Sequence, residues 1–93
     1  MALFVWDEAK RLANIDKHGY DFAQAEYEFE WDSATTTRAN AGSHGEARFK
    51  SIGLFRGRLI VVILAPLGTE AISIISMRLA DRKERALYEN EEE

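Results

Sequence analysis

The chain has no cysteine, one proline, two histidines and two methionines among its 93 residues. Without cysteine there is no disulfide, no thiolate metal site and no cysteine nucleophile, and two histidines alone do not make a typical zinc site. No apolar run approaches the roughly 20 residues of a membrane span; the longest, Leu59 to Leu67, is short and carries Pro66 near its end. The opening Met1-Ala2-Leu3-Phe4-Val5-Trp6-Asp7-Glu8 lacks the basic start and apolar stretch of a secretory signal, so a cytoplasmic location without membrane association is expected. At 46% hydrophobic and 11% aromatic residues the chain has enough apolar surface to offset its conformational entropy. Its length fits one domain, spanning residues 1–93, with no linker, repeat or low-complexity segment.

Charge is uneven. Residues 1–42 carry 4 Lys/Arg against 8 Asp/Glu, residues 43–88 carry 8 against 4, and residues 89–93 carry 0 against 4. A basic later half can bind a polyanion despite the overall charge of −4, because the local field governs encounter more than net charge does. The acidic end is equally compatible with a simple solvated terminus.

The pattern predicts a strand over Leu3-Phe4-Val5-Trp6, then a helix from Glu8 to His18 capped by Asp7 and stopped by Gly19. A second helix is expected after Asp21, with Phe22, Ala25 and Phe29 as its apolar stripe. The Thr/Ser/Ala/Gly-rich stretch from Asp32 to Gly45 suggests a short strand near Ala34 to Arg38 and a loop holding His44. An antiparallel meander follows: Ala47 to Phe55, a tight turn at Arg56-Gly57, Arg58 to Ala65, a turn around Pro66-Leu67-Gly68-Thr69, and Ala71 to Met77. Leu59 to Leu64 is apolar at every position, as a strand covered on both faces requires. Asp81 and Glu84 have the spacing of a capping box, opening a last helix near Arg82. The expected class is α+β, with an N-terminal strand and two helices packed on an antiparallel sheet of three to four strands, and a C-terminal helix.

Helical spacing places Lys10, Asn14, Lys17 and His18 on one polar strip, which reads either as an RNA-facing surface or as an ordinary solvated flank. Arg48 and Lys50 project from one face of their strand, Glu46 joins them if the strand starts early, and Arg78 stands at a strand-to-helix corner suited to meeting a phosphate. This inventory permits RNA cleavage without metal, by attack of the adjacent 2′-hydroxyl. For an RNA substrate, His18 is a candidate base or acid, Lys10, Lys17, Arg48 and Arg78 are candidate phosphate ligands, Tyr88 or Glu46 can assist, and Trp6, if exposed, offers a stacking surface. Lys50 and Arg58 complete the cationic set available to RNA.

The string Phe4-x-Trp6-Asp7-x-x-Lys10-x-x-x-Asn14-x-x-Lys17-His18-Gly19-x-x-Phe22-x-x-Ala25 resembles the opening signature of the BrnT family. So do Gly45-Glu46-x-Arg48-Phe49, Gly53, Arg58-Leu59-x-Val61-Val62 and Ile74-Ile75-Ser76-Met77-Arg78-x-Ala80-x-x-x-Glu84-Arg85-x-x-Tyr88, in the same order and over nearly the whole chain. The resemblance implies the toxin half of a bacterial type II toxin-antitoxin module: a RelE-like ribonuclease that arrests translation, with no cofactor. It further implies neutralisation by a BrnA-like ribbon-helix-helix antitoxin in a heterotetramer of two toxins and two antitoxins, which contacts DNA only through the antitoxin. The motif carries over to Trp6, Lys10, Lys17, His18, Glu46, Arg48, Arg78 and Tyr88; Lys17, His18, Glu46, Arg48, Arg78 and Tyr88 are the expected catalytic positions, and Trp6 and Lys10, together with Asn14, Lys50 and Arg58 from the residue reading, are the expected RNA contacts. The general base stays open among His18, Glu46 and Lys17. The opening helix and the arginine corner are expected to converge over the sheet on one ribose-phosphate link. The chain departs from many relatives at Leu64-Ala65-Pro66-Leu67, where a tyrosine and charged turn residues are usual, and at Ser73, where an arginine is. Those departures leave a second reading open, an antitoxin-binding partner with little catalytic power, and a third, a regulator that binds duplex DNA itself.

Overall fold

The computed structural model describes residues 3–92. Strand β1 (Leu3–Trp6) leads into helix α1 (Glu8–His18). Asp7 caps that helix, its carboxylate accepting from the N–H groups of Ala9 and Lys10, and Gly19 closes it in the left-handed conformation at φ 80° with its N–H on the Ile15 carbonyl. The expected second helix is present but short: Asp21 caps a 3₁₀ turn over Phe22–Gln24 that runs directly into α2, a single turn over Ala25–Glu28. The Ala25 carbonyl accepts both the Phe29 N–H that closes the turn and the Trp31 indole N–H, and Phe29 takes an extended conformation to bridge Phe55, so the chain leaves the helix there.

A second 3₁₀ turn, Trp31–Ser33, precedes β2 (Thr35–Ala39), β3 (Arg48–Phe55), β4 (Arg58–Leu67) and β5 (Ala71–Leu79). Arg56 and Gly57 both have positive φ, 51° and 79°, the backbone that a two-residue hairpin between right-twisted strands needs. The β4–β5 turn falls later than expected: Pro66 and Leu67 still pair with Ile72 and Ala71. The antiparallel meander β2 to β5 stands, but the sheet is larger than three to four strands and is mixed. It has five strands in the order β1-β5-β4-β3-β2, with β1 parallel to β5. That pairing joins segments some seventy residues apart, which local periodicity does not report.

Alternation along β4 sends Ile60, Val62 and Leu64 to one side and Leu59, Val61 and Ile63 to the other, so the all-apolar run is covered twice. The first side packs the Phe22, Phe29 and Phe55 rings with Met77 and Ile74. Phe22 is fully buried, and truncating such a side chain costs about 3–5 kcal/mol. Helix α3 (Arg82–Glu92) covers the second side, where Leu87 and Tyr88 pack on Ile52, Leu59, Val61 and Ala80. Its capping box forms in both directions, Glu84 N–H to the Asp81 carboxylate and Asp81 N–H to the Glu84 carboxylate, each at 2.9 Å.

Candidate active site

On the α3 side of the sheet Arg38, Asn40, Arg48, Lys50, Ile63 and Arg78 line a depression of about 330 Å³. The pleat brings three of its cations together. Arg48 and Lys50 lie two residues apart on β3, and Arg78 lies across β4, its strand position opposite Val61 while Lys50 is opposite Ile63. Helix α3 supplies the counter-charge. The Glu84 carboxylate, 3% exposed, accepts from both terminal nitrogens of Arg78 at 2.7 and 2.8 Å and from Lys50 Nζ at 3.1 Å. Arg78 is the main reason its pKa falls to about 2; the Asp81 N–H and Lys50 reinforce that effect, and burial opposes it. Arg78 in turn is raised above the ordinary arginine value, chiefly by Glu84.

Arg48 differs from its neighbours. One terminal nitrogen donates to Glu46 at 3.2 Å, but its Nε is buried with no hydrogen-bond partner among the described residues. A buried guanidinium N–H without an acceptor carries a desolvation cost, which an arriving anion would relieve. Glu46 comes from the loop before β3, where a side chain at Gly42 would collide with its carboxylate. Its own backbone N–H, then the His44 N–H and Arg48, hold the Glu46 carboxyl below the ordinary range although burial opposes them, and so favour its ionised form. Tyr88 lies one turn beyond Glu84 and faces the same side of the sheet. Four cations against the two carboxylates Glu46 and Glu84 leave the depression electropositive.

The remaining sequence-predicted residues lie elsewhere. His18 and Arg58 line a separate pocket of about 280 Å³ with Gly19, Tyr20, Phe55 and Arg56, on the side that holds the phenylalanine cluster. Arg78 occupies the opposite side, facing with Val61 toward α3. The expected convergence of the opening helix with the arginine corner is therefore corrected: neither pocket contains members of both groups. Lys10 and Lys17 are exposed on α1. Trp6 packs partly buried against the aromatic core, its indole N–H on Glu8 at 3.3 Å.

Asn14, read as an RNA contact, is turned inward and 7% exposed. β1 stops opposite Ile74, so the next stretch of β5 lacks a strand neighbour on that side. Asn14 fills the gap: its Oδ1 accepts the Met77 N–H at 3.2 Å and its Nδ2 donates to the Tyr20 carbonyl at 2.9 Å. Sequence reasoning missed Arg38 and the hub role of Glu84, which reads only as a capping residue. The available signal was a lone acid inside the basic run Arg82-Lys83-Glu84-Arg85, one helical turn from Tyr88. Among the described residues no group of three or more His, Asp or Glu is placed to hold a metal ion, and no helix is long and apolar enough to cross a membrane.

The structure is a small α+β fold with three arginines and a lysine gathered in one depression on its sheet, a charge pattern suited to receiving an anion. Residues 6–84 match the family model described as the ribonuclease toxin BrnT of type II toxin-antitoxin systems, and the chain belongs to that family. It is also similar to the crystal structure of the Brucella abortus ribonuclease toxin BrnT, with 41% sequence identity and a TM-score of 0.71 over 88% of this chain and 100% of that one. No curated protein matches it. Tyr88 lies beyond the segment that the family model covers.

Proposed function

We propose that this chain is a metal-independent endoribonuclease of RelE-like fold that cuts RNA, and thereby inhibits translation, at the depression under α3. The observation that carries the reading is the buried, unpartnered Arg48 Nε beside Lys50 and Arg78. In this reading Arg48, Lys50 and Arg78 bind the scissile phosphate and stabilise the charge that builds on it. Glu46, ionised, takes the proton of the neighbouring 2′-hydroxyl as its oxygen bonds to phosphorus. The bond to the 5′-oxygen breaks, Tyr88 protonates that oxygen, and the products are a 2′,3′-cyclic phosphate and a 5′-hydroxyl. Lys10, Lys17, His18 and Arg58 bind flanking RNA away from the reacting bond. A BrnA-like ribbon-helix-helix antitoxin neutralises the toxin in the cytoplasm in a two-plus-two heterotetramer and supplies all contact with DNA.

Purified protein should cut single-stranded RNA in EDTA. Arg48→Ala and Arg78→Ala should each lower kcat by about 10²–10³-fold, the scale for removing one donor from a preorganised anion site. His18→Ala should raise KM and spare kcat. Wild-type turnover in both arginine variants would remove the site.

One observation favours a second reading, an antitoxin-binding partner with weak catalysis. Glu84 already occupies Arg78 and Lys50, so an RNA phosphate must compete with a buried carboxylate. The departures Leu64, Leu67 and Ser73 do not line the depression, and so do not themselves argue for a weakened site. Normal growth on inducing this gene without its antitoxin would favour this reading.

A further inference from the structure

Behind the cationic depression, through the thickness of the sheet, lies an apolar groove of about 360 Å³. Phe4, Trp31, Phe49 and Leu64 line it, with the hydroxyls of Thr36 and Ser51 hydrogen-bonded to each other at 2.8 Å in its wall. We propose that this groove is a nucleobase pocket: an unpaired base close to the phosphate in the depression turns round the edge of the sheet and stacks on Phe49. The proposal rests on the ribonuclease reading and names how that site would choose its RNA.

Three features support it. Successive residues of the same strands serve both concavities, Arg48, Lys50 and Ile63 facing the depression and Phe49 and Leu64 facing the groove, so the two sites lie back to back. They are joined around β2, which among the described residues is the edge strand of the sheet. Arg38 on that edge lines the depression and also stands over the Phe49 ring, 5.4 Å from its centroid, so one guanidinium marks a cationic path from one face to the other. The lining suits a base better than an aliphatic side chain: ring faces offer stacking, and the Thr36–Ser51 pair offers a donor and an acceptor to a heterocycle edge. The volume lies within the roughly 300–1,000 Å³ usual for small-molecule pockets.

The test walks a single abasic nucleotide along a short single-stranded RNA and measures kcat/KM for the wild type, Phe49→Leu and Thr36→Val. One position should show a loss of about tenfold in the wild type, the scale of one base-stacking contact. Phe49→Leu should cut intact RNA about as slowly as the wild type cuts that abasic RNA, and should show no further loss there. Thr36→Val, a change at an exposed site, should alter the preference among bases at that position. Abasic profiles identical in all three proteins would overturn the pocket and leave the ribonuclease intact. So would a Phe49→Leu protein that loses antitoxin binding while keeping the positional penalty, because the groove would then be a protein-docking surface. If RNA is not cut, the same series is read as binding: affinity without position dependence refutes the pocket, and no affinity refutes both readings.

Discussion

The face of the sheet under Phe22 buries nine apolar side chains in one cluster, whereas the face under α3 buries four and devotes the area beside them to charge. On the first face stability comes from ring packing and from Asn14, a polar group satisfied on both ends. On the second, Glu84 is desolvated to hold two cations in place, an arrangement whose Coulombic gain is largely offset by the cost of burial. A carboxylate so placed contributes less as a fastener than as a jig: it fixes the direction in which Arg78 and Lys50 present themselves. One face specifies the fold, and the other spends part of the stability so gained on positioning charge.

The comparison can be broken most severely with acid. The Glu84 carboxyl binds its proton less tightly in the folded chain, with a pKa of about 2, than in the unfolded one. Its pairing therefore stabilises fully above the unfolded pKa and is lost as pH falls through about 2. Denaturant midpoints measured from pH 7 down to pH 2 should fall accordingly, and Glu84→Gln should flatten the curve in that window; an equally steep curve in the variant would deny Glu84 its role. The other face should respond differently. Asn14→Ala leaves the Met77 N–H and the Tyr20 carbonyl without their partner and should cost about 2 kcal/mol in equilibrium unfolding. RNA affinity of the folded variant should not change; unaltered stability with weakened RNA binding would return Asn14 to the substrate surface. Smaller still, Asp81→Ala removes the cap of α3 and should cost about 1 kcal/mol. The exposed Arg56–Glu28 pair is the low end of the series, and Arg56→Ala should leave the melting temperature where it was.

Much of the fold was legible because its signals are local. Asp7 and Gly19 bound α1, Arg56-Gly57 turns the β3–β4 hairpin, Asp81 and Glu84 open α3, and the unbroken apolar run of β4 announces cover on both sides. The second helix was legible in its place and its Asp21 cap but not in its shortness, because Phe22, Ala25 and Phe29 recur at helical spacing whether or not the backbone stays helical, and the bridge from Phe29 to Phe55 is a distant partner's demand. The candidate site divides in the same way. Arg48, Lys50 and Arg78 gather because strand alternation and the meander put them on one side, and both are readable. That His18 and Arg58 belong to the other side was not readable, since it depends on where α1 docks.

By itself, then, the order of residues determined where α1, the β3–β4 hairpin and α3 lie, where charge accumulates, and to which family the chain belongs, because each of these follows from near neighbours or from a spaced signature. Only the tertiary structure decided that the first strand joins the last beside it, that Asn14 faces inward, and that Glu84 is the hub of the cationic site. Those outcomes depend on which side of a shared sheet each segment reaches, and chain neighbours carry no record of that.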